Sequence, residues 1–102
     1  MPEETRADVL DTAKGYVIQD RAVDYDTPER NFEKIAALWM AYLGPGFPIE
    51  AHDVAVLMAL VKVARISTSP AKFDHWVDLA GYAACGGEVR PRPTPFKEPS
   101  DE

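Results

Sequence analysis

The sequence predicts an all-α protein, a compact four-helix arrangement followed by a proline-rich tail. Apolar residues recur every three or four positions through most of the first 87 residues, which is the period of a helix. Glycine and proline interrupt this pattern at a few places, and no alternating pattern is strong enough for a sheet. We therefore predict one helical domain over residues 1–87. Residues 88–102 form a tail, because this stretch of fifteen residues contains four prolines and seven charges.

The first two helices are predicted from their start and stop signals. The first covers Pro2 to Asp24, with two glutamates at its amino end, where the helix dipole favours negative charge. The second begins at Pro28, because a Thr followed by Pro at the first helical position is a strong start signal. It ends at Gly44, where the next residue, a proline, cannot continue a helix. The predicted apolar stripe of the first helix contains Val9, Leu10, Ala13, Val17 and Ile18.

The third and fourth predicted helices carry the polar residues of interest. The third, about Glu50 to Ile66, is apolar on nearly all sides, so we expect it to be the central helix of the bundle. The fourth, about Ala71 to Cys85, follows a Ser-Thr-Ser-Pro break. Gly86 and Gly87 are predicted to end it. The predicted connections between the helices are short, as in a four-helix arrangement.

Charge and cysteine content exclude several classes of partner. The net charge of -6 and the pI near 4.8 argue against duplex nucleic acid and anionic membranes, since both need a basic surface. A single cysteine excludes an intrachain disulfide, and nothing indicates secretion. No apolar run is long enough to span a bilayer. We expect a soluble cytoplasmic protein.

Two basic residues interrupt the apolar third helix. Lys62 and Arg65 lie three positions apart on the same side as Met58, which makes a basic spot beside a soft apolar side chain. Such a pair suits a phosphate lying next to a base. In the alternative interpretation the two residues extend to solvent and pair with Asp74 and Asp78 of the next helix.

The fourth helix carries a matching acidic stripe. Asp74 and Asp78 lie one turn apart, and Tyr82 continues their stripe. Two carboxylates can contribute part of the shell of a hydrated divalent cation, but two alone are a weak signal for Mg²⁺. A network of ion pairs with the basic spot fits the pattern better. We therefore predict no metal site, no cofactor and no catalytic residue.

A pattern in chain order combines Arg21 and Tyr25, the pair Asn31 and Phe32, the basic residues Lys62 and Arg65, and the stripe of Asp74, Asp78, Gly81 and Tyr82. This pattern resembles that of a family of small phage and prophage proteins. The similarity covers about Val9 to Glu88, and one position departs from it, because Asp26 replaces the glycine of a Tyr-Gly turn. The chain is more distantly similar to MazG-like nucleotide pyrophosphohydrolases, which hold Mg²⁺ with E-x-x-E and E-x-x-D motifs that this sequence lacks.

The resemblance implies a nucleotide-binding phage protein. We expect an oligomeric sponge that sequesters a nucleotide or cyclic nucleotide immune signal in the host cytoplasm, with Lys62 and Arg65 on phosphate and Tyr82 or a tryptophan against the base. A homo-oligomer is expected because a helix that is apolar all round leaves a face to cover. The alternatives are a MazG-like Mg²⁺-dependent hydrolase and an acidic inhibitor that binds a host protein. The predicted ligand-binding residues are Arg21, Tyr25, Asn31, Lys62, Arg65, Asp74, Asp78 and Tyr82.

Overall fold

The computed structural model describes residues 3–18 and 27–93, and these residues form four helices. The predicted all-α class is confirmed, and these residues contain no strand. The end of the predicted first helix, from residue 19 to Asp24, lies outside the described residues, as do tail residues 94–102. The helices are α1 (Arg6–Ile18), α2 (Pro28–Leu43), α3 (Ala51–Thr68) and α4 (Phe73–Glu88).

The helices pack in the order α1, α4, α3, α2. Helix α4 packs against both α1 and α3, and α2 packs against α3. The core cluster joins Phe32 and Ala36 of α2 to Val54 and Ala55 of α3. Val77 of α4 is also buried. Small residues at these contacts allow the helix axes to approach closely.

Side-chain caps fix the starts of three helices. Before α1, the Asp8 carboxylate accepts a hydrogen bond from the Thr5 amide at 2.8 Å, while the Thr5 hydroxyl accepts one from the Asp8 amide at 3.3 Å. This reciprocal pair starts the helix at Arg6 rather than at Pro2. The predicted cap of α2 is confirmed, because the Thr27 hydroxyl accepts from the Arg30 amide at 3.2 Å. At α3 the Glu50 amide donates to the Asp53 carboxylate at 2.9 Å.

Glycine ends helix α2 but does not end helix α4. Gly44 has φ +102°, a left-handed conformation, and caps α2 by donating its N–H to the Met40 carbonyl, as predicted. The prediction that Gly86 and Gly87 end α4 was wrong, because the helix continues through both to Glu88. Neither glycine has a positive φ. Val89 then packs against the core cluster.

Helix α3 packs against both α2 and α4, as expected of a central helix. Among the described residues, one side of α3 is left exposed. In α1, Ala13 is buried as predicted, whereas Leu10 and Ile18 of the predicted stripe are exposed. None of the helices in residues 3–18 and 27–93 is long and apolar enough to cross a membrane. The exposed large apolar residues of α3 are Val56, Leu57, Leu60, Val61 and Val63.

Candidate functional site

A cavity of about 510 Å³ lies where the four helices meet. This volume is within the usual range of small-molecule sites, roughly 300–1,000 Å³. All four helices contribute to its wall, so the cavity belongs to one chain and needs no second copy to form it. It is lined by Ala13, Tyr16, Val17, Pro28, Asn31, Phe32, Ile35, Met58, Val77, Asp78, Gly81, Tyr82 and Cys85.

Most of the cavity wall is apolar. Phe32 and Val77 are buried behind it, and Met58 supplies a flexible, polarisable side chain from α3. Ile35 and Tyr82 also pack against the core cluster, which holds their positions. A wall of this kind favours a flat, weakly hydrated ligand, since binding removes apolar surface from water on both sides.

A small number of polar side chains face the cavity. Asn31 comes from the first turn of α2, where its backbone N–H donates to the Thr27 carbonyl at 2.9 Å. Asp78 and Tyr82 come from α4, one turn apart, so their side chains share one side of that helix. An amide, a carboxylate and the phenols of Tyr82 and Tyr16 together offer hydrogen-bond donors and acceptors against an apolar background, which is the usual composition of a selective ligand site.

Lys62 and Asp78 form an ion pair beside the cavity. The Lys62 ammonium lies 3.1 Å from an Asp78 carboxylate oxygen, and the two side chains are 19% and 38% exposed. The interpretation in which the basic spot pairs with the acidic stripe is therefore observed for these two residues. Asp78 lines the cavity, so the Lys62 ammonium lies 3.1 Å from a residue of the cavity wall.

The structure brings only part of the predicted site together. Asn31, Asp78 and Tyr82 line the cavity, and Lys62 contacts it through Asp78. Arg65 and Asp74 are exposed and are absent from the cavity wall. The two remaining predicted ligand residues, Arg21 and Tyr25, lie outside the described residues.

Tryptophan is not part of the cavity wall. Trp39 packs against the core cluster. The Trp76 indole N–H donates to the Pro70 carbonyl at 2.8 Å and so braces the turn between α3 and α4. Of the aromatic residues predicted to lie against a base, Tyr82 is the one in position.

Sequence reasoning missed the contribution of α1. Tyr16 and Val17 line the cavity, although no pattern in the sequence pairs them with α4. Gly81 was the one indication in the sequence, because a glycine in the middle of a helix often marks the close approach of another element to that helix. A Cβ on Gly81 would lie 3.4 Å from the Cγ1 of Val17, so the approaching element is α1.

Acidic and histidine side chains meet at the start of α3. His52 lies 3.6 Å from Glu50 and 3.4 Å from Asp53, on a helix start that these residues already cap. Within the part of the chain that the structure describes, no three His, Cys, Asp or Glu side chains lie close enough together to hold a metal ion.

Comparison with known proteins places the chain among phage proteins. Residues 8–90 match the domain of unknown function DUF6378. The chain is 43% identical over 75 residues to the Gene 55 protein of Mycobacterium phage L5, covering 74% of this chain and 47% of that protein. It is 35% identical over 85 residues to the Gene 55 protein of Mycobacterium phage D29, covering 83% of this chain and 55% of that one. The chain thus spans about half the length of these curated relatives, and no solved structure matches it. The chain belongs to the DUF6378 family of phage proteins.

Proposed function

We propose that this protein binds a nucleotide with its base inside the cavity, and that it retains the nucleotide without cleaving it. The observation that carries the proposal is the cavity itself, whose largely apolar wall comes from four helices and includes an amide, a carboxylate and two phenols. In an infected host cell such binding would lower the concentration of a nucleotide signal. A sponge of this kind would counter an immune response that depends on that signal.

The chemistry of the wall favours a base with an exocyclic amino group. Asp78 is an acceptor when ionised, and an amino group of adenine, cytosine or guanine is a donor. Asn31 offers both a donor and an acceptor, which suits the neighbouring ring nitrogen and its substituent. Tyr82 and the apolar wall supply the surface for the flat ring, and base stacking on an aromatic side chain contributes about 1–3 kcal/mol.

Basic groups on α3 supply the chemistry for the phosphate. Lys62 and Arg65 lie three residues apart on this helix, and Lys62 is already at the edge of the cavity through Asp78. A bound phosphate would share the Lys62 ammonium with that carboxylate, and Arg65 offers a fork of donors one turn further along. The first turn of α2 also borders the cavity at Pro28, and the positive end of its dipole favours an anion.

A hydrolase is the second candidate, because a carboxylate that can take part in metal binding lies in the cavity wall. In this alternative Asp78 would recruit Asp74 and a further acidic residue, Asp53 or Glu33, around Mg²⁺ bound together with the substrate. The two candidates differ in the fate of the nucleotide. Retention leaves it intact, whereas hydrolysis consumes it only in the presence of the metal.

The experiment is a thermal shift series on the purified protein with ATP, cyclic nucleotides and ADP-ribose, each with and without Mg²⁺. A ligand that binds the folded state raises the melting temperature as its concentration exceeds Kd. The recovered ligand is then chromatographed after denaturation. Stabilisation without metal and recovery of the intact nucleotide are the expected results. Cleavage only with Mg²⁺ would establish the hydrolase instead, and no shift with any nucleotide would favour an acidic inhibitor that binds a host protein.

A further inference from the structure

The solvent side of α3 is an uninterrupted apolar surface. Between Val54 and Ala64 every exposed residue is apolar, and the one charged residue in that stretch, Lys62, pairs with Asp78 of α4. Spacings of three and four residues place the exposed positions on one side of the helix. We call this surface the outer face of α3, and it consists of Val56, Leu57, Leu60, Val61, Val63 and Ala64.

The area of the outer face matches the apolar centre of a small dimer interface. Its five large side chains are 40–56% exposed, which corresponds to apolar surface on the order of 400 Å², well within the range of patches that are often functional. Two such faces would contribute on the order of 800 Å². Because apolar area is about 65% of a homodimer interface, the complete interface would be roughly 1,200 Å². That value is at the lower end of stable protein interfaces.

The buried core of one copy is small for so many apolar residues. Six residues are buried among those that the structure describes, whereas thirteen large apolar residues are exposed. A helix that is apolar on all sides is normally covered on all sides, and within residues 3–18 and 27–93 no neighbour covers the outer face of α3. The missing neighbour is expected to present an apolar surface of its own.

We propose that the missing neighbour is a second copy of this chain, packed antiparallel across a two-fold axis near Leu60. A two-fold interface brings the same surface of both copies together, and a uniformly apolar helix face is complementary to itself. Each copy has a net charge of -6, so contact is least unfavourable where the surface has no charge. Antiparallel packing also opposes the macrodipoles of the two α3 helices.

The dimer does not depend on nucleotide binding. Met58, the one α3 residue in the cavity wall, lies on the opposite side of the helix from Val56, Leu60 and Val63. A change in the outer face should consequently leave the cavity intact. A variant that loses dimerisation can therefore still bind the nucleotide, and the two properties can be tested separately.

The first test is light scattering of the full chain over a range of concentrations. The expected mass is twice the chain mass of 11.3 kDa, falling towards one copy on dilution. Leu60→Lys should give the mass of one copy, because the two lysine ammonium groups would face and repel each other across the two-fold axis. Its helical circular dichroism spectrum should be unchanged. The matched control, Leu10→Lys, alters an equally exposed leucine on α1 and should leave the dimer intact. A wild-type monomer at every concentration, or a dimeric Leu60→Lys protein, would overturn the proposal.

Cysteine crosslinking tests the antiparallel arrangement in a Cys85→Ala background. Leu60→Cys should form a disulfide-linked dimer on mild oxidation, since the two copies of residue 60 face each other. Val56→Cys should not crosslink to itself, because antiparallel packing separates its two copies by about 12 Å along the axis. Mixing Val56→Cys with Ala64→Cys should restore crosslinking between the two variants. Self-crosslinking of Val56→Cys would instead indicate a parallel pair and contradict the proposed arrangement.

Discussion

Gly86 of α4 packs directly over Ala55 of α3, and a Cβ added to Gly86 would lie 2.8 Å from the Cβ of Ala55. This distance is well below ordinary carbon contact, about 3.5–4.0 Å, so the two helices approach as closely as they do because position 86 has no side chain. Ala55 is buried in the core cluster and cannot move away without displacing α3. The contact explains why glycine occupies a helical position where it weakens the helix itself.

The first prediction concerns this contact. Gly86→Ala should destabilise the protein by about 1–3 kcal/mol, because the added methyl forces α3 and α4 apart. Gly87→Ala is the matched control, since a Cβ there meets nothing within 4 Å. The control should stabilise the helix by up to about 1 kcal/mol through propensity alone. Urea unfolding measures both, and equal stabilisation by the two substitutions would refute the close-packing argument.

The second prediction concerns the ion pair of Lys62 with Asp78. Both side chains are partly exposed, so the coupling between them should be modest, about 0.2–1 kcal/mol. A double-mutant cycle with Lys62→Met and Asp78→Asn isolates that coupling from the other effects of each change. It should decrease as salt concentration rises. A coupling of zero at low salt would show that the two side chains do not interact in solution.

The third prediction concerns the start of α2, which borders the cavity. Thr27→Ala should cost about 1 kcal/mol, because the Arg30 amide loses its acceptor at the helix end. Thr68→Ala serves as control, since Thr68 is an exposed residue at the end of α3. Chemical unfolding of both variants gives the comparison. If the two substitutions were equally mild, the Thr27 cap would contribute nothing.

The sequence predicted those parts of the fold that depend on neighbouring residues. The Thr27 and Pro28 signal and the Gly44 cap were identified correctly, because each acts within one or two turns of its own helix. The end of α4 was placed too early, because Gly86 is explained by Ala55, about thirty residues away in the chain. Local patterns cannot distinguish a glycine that ends a helix from one that accommodates a neighbouring helix.

In the candidate site, too, the features set by one helix were predictable and those set by the packing of distant helices were not. Regular spacing was enough to align the basic residues of α3 with the acidic residues of α4, and Lys62 does pair with Asp78. Spacing could not reveal that Arg65 and Asp74 stay outside the cavity wall, or that Tyr16 of α1 enters it. The contribution of Tyr16 depends on how α1 packs against α4, and Gly81 was the local indication of that contact.

The most direct measurement of the central claim is isothermal titration calorimetry of a stabilising nucleotide into the wild type and into Gly81→Leu. Gly81 lines the cavity, so a leucine side chain there should occupy the space proposed for the base. Gly15→Leu is the matched control, because position 15 of α1 has open space around it and is absent from the cavity wall. We expect one nucleotide per chain for the wild type and Gly15→Leu, and no binding to a folded Gly81→Leu protein. Undiminished binding by folded Gly81→Leu, or no nucleotide binding by the wild type, would contradict the proposed function.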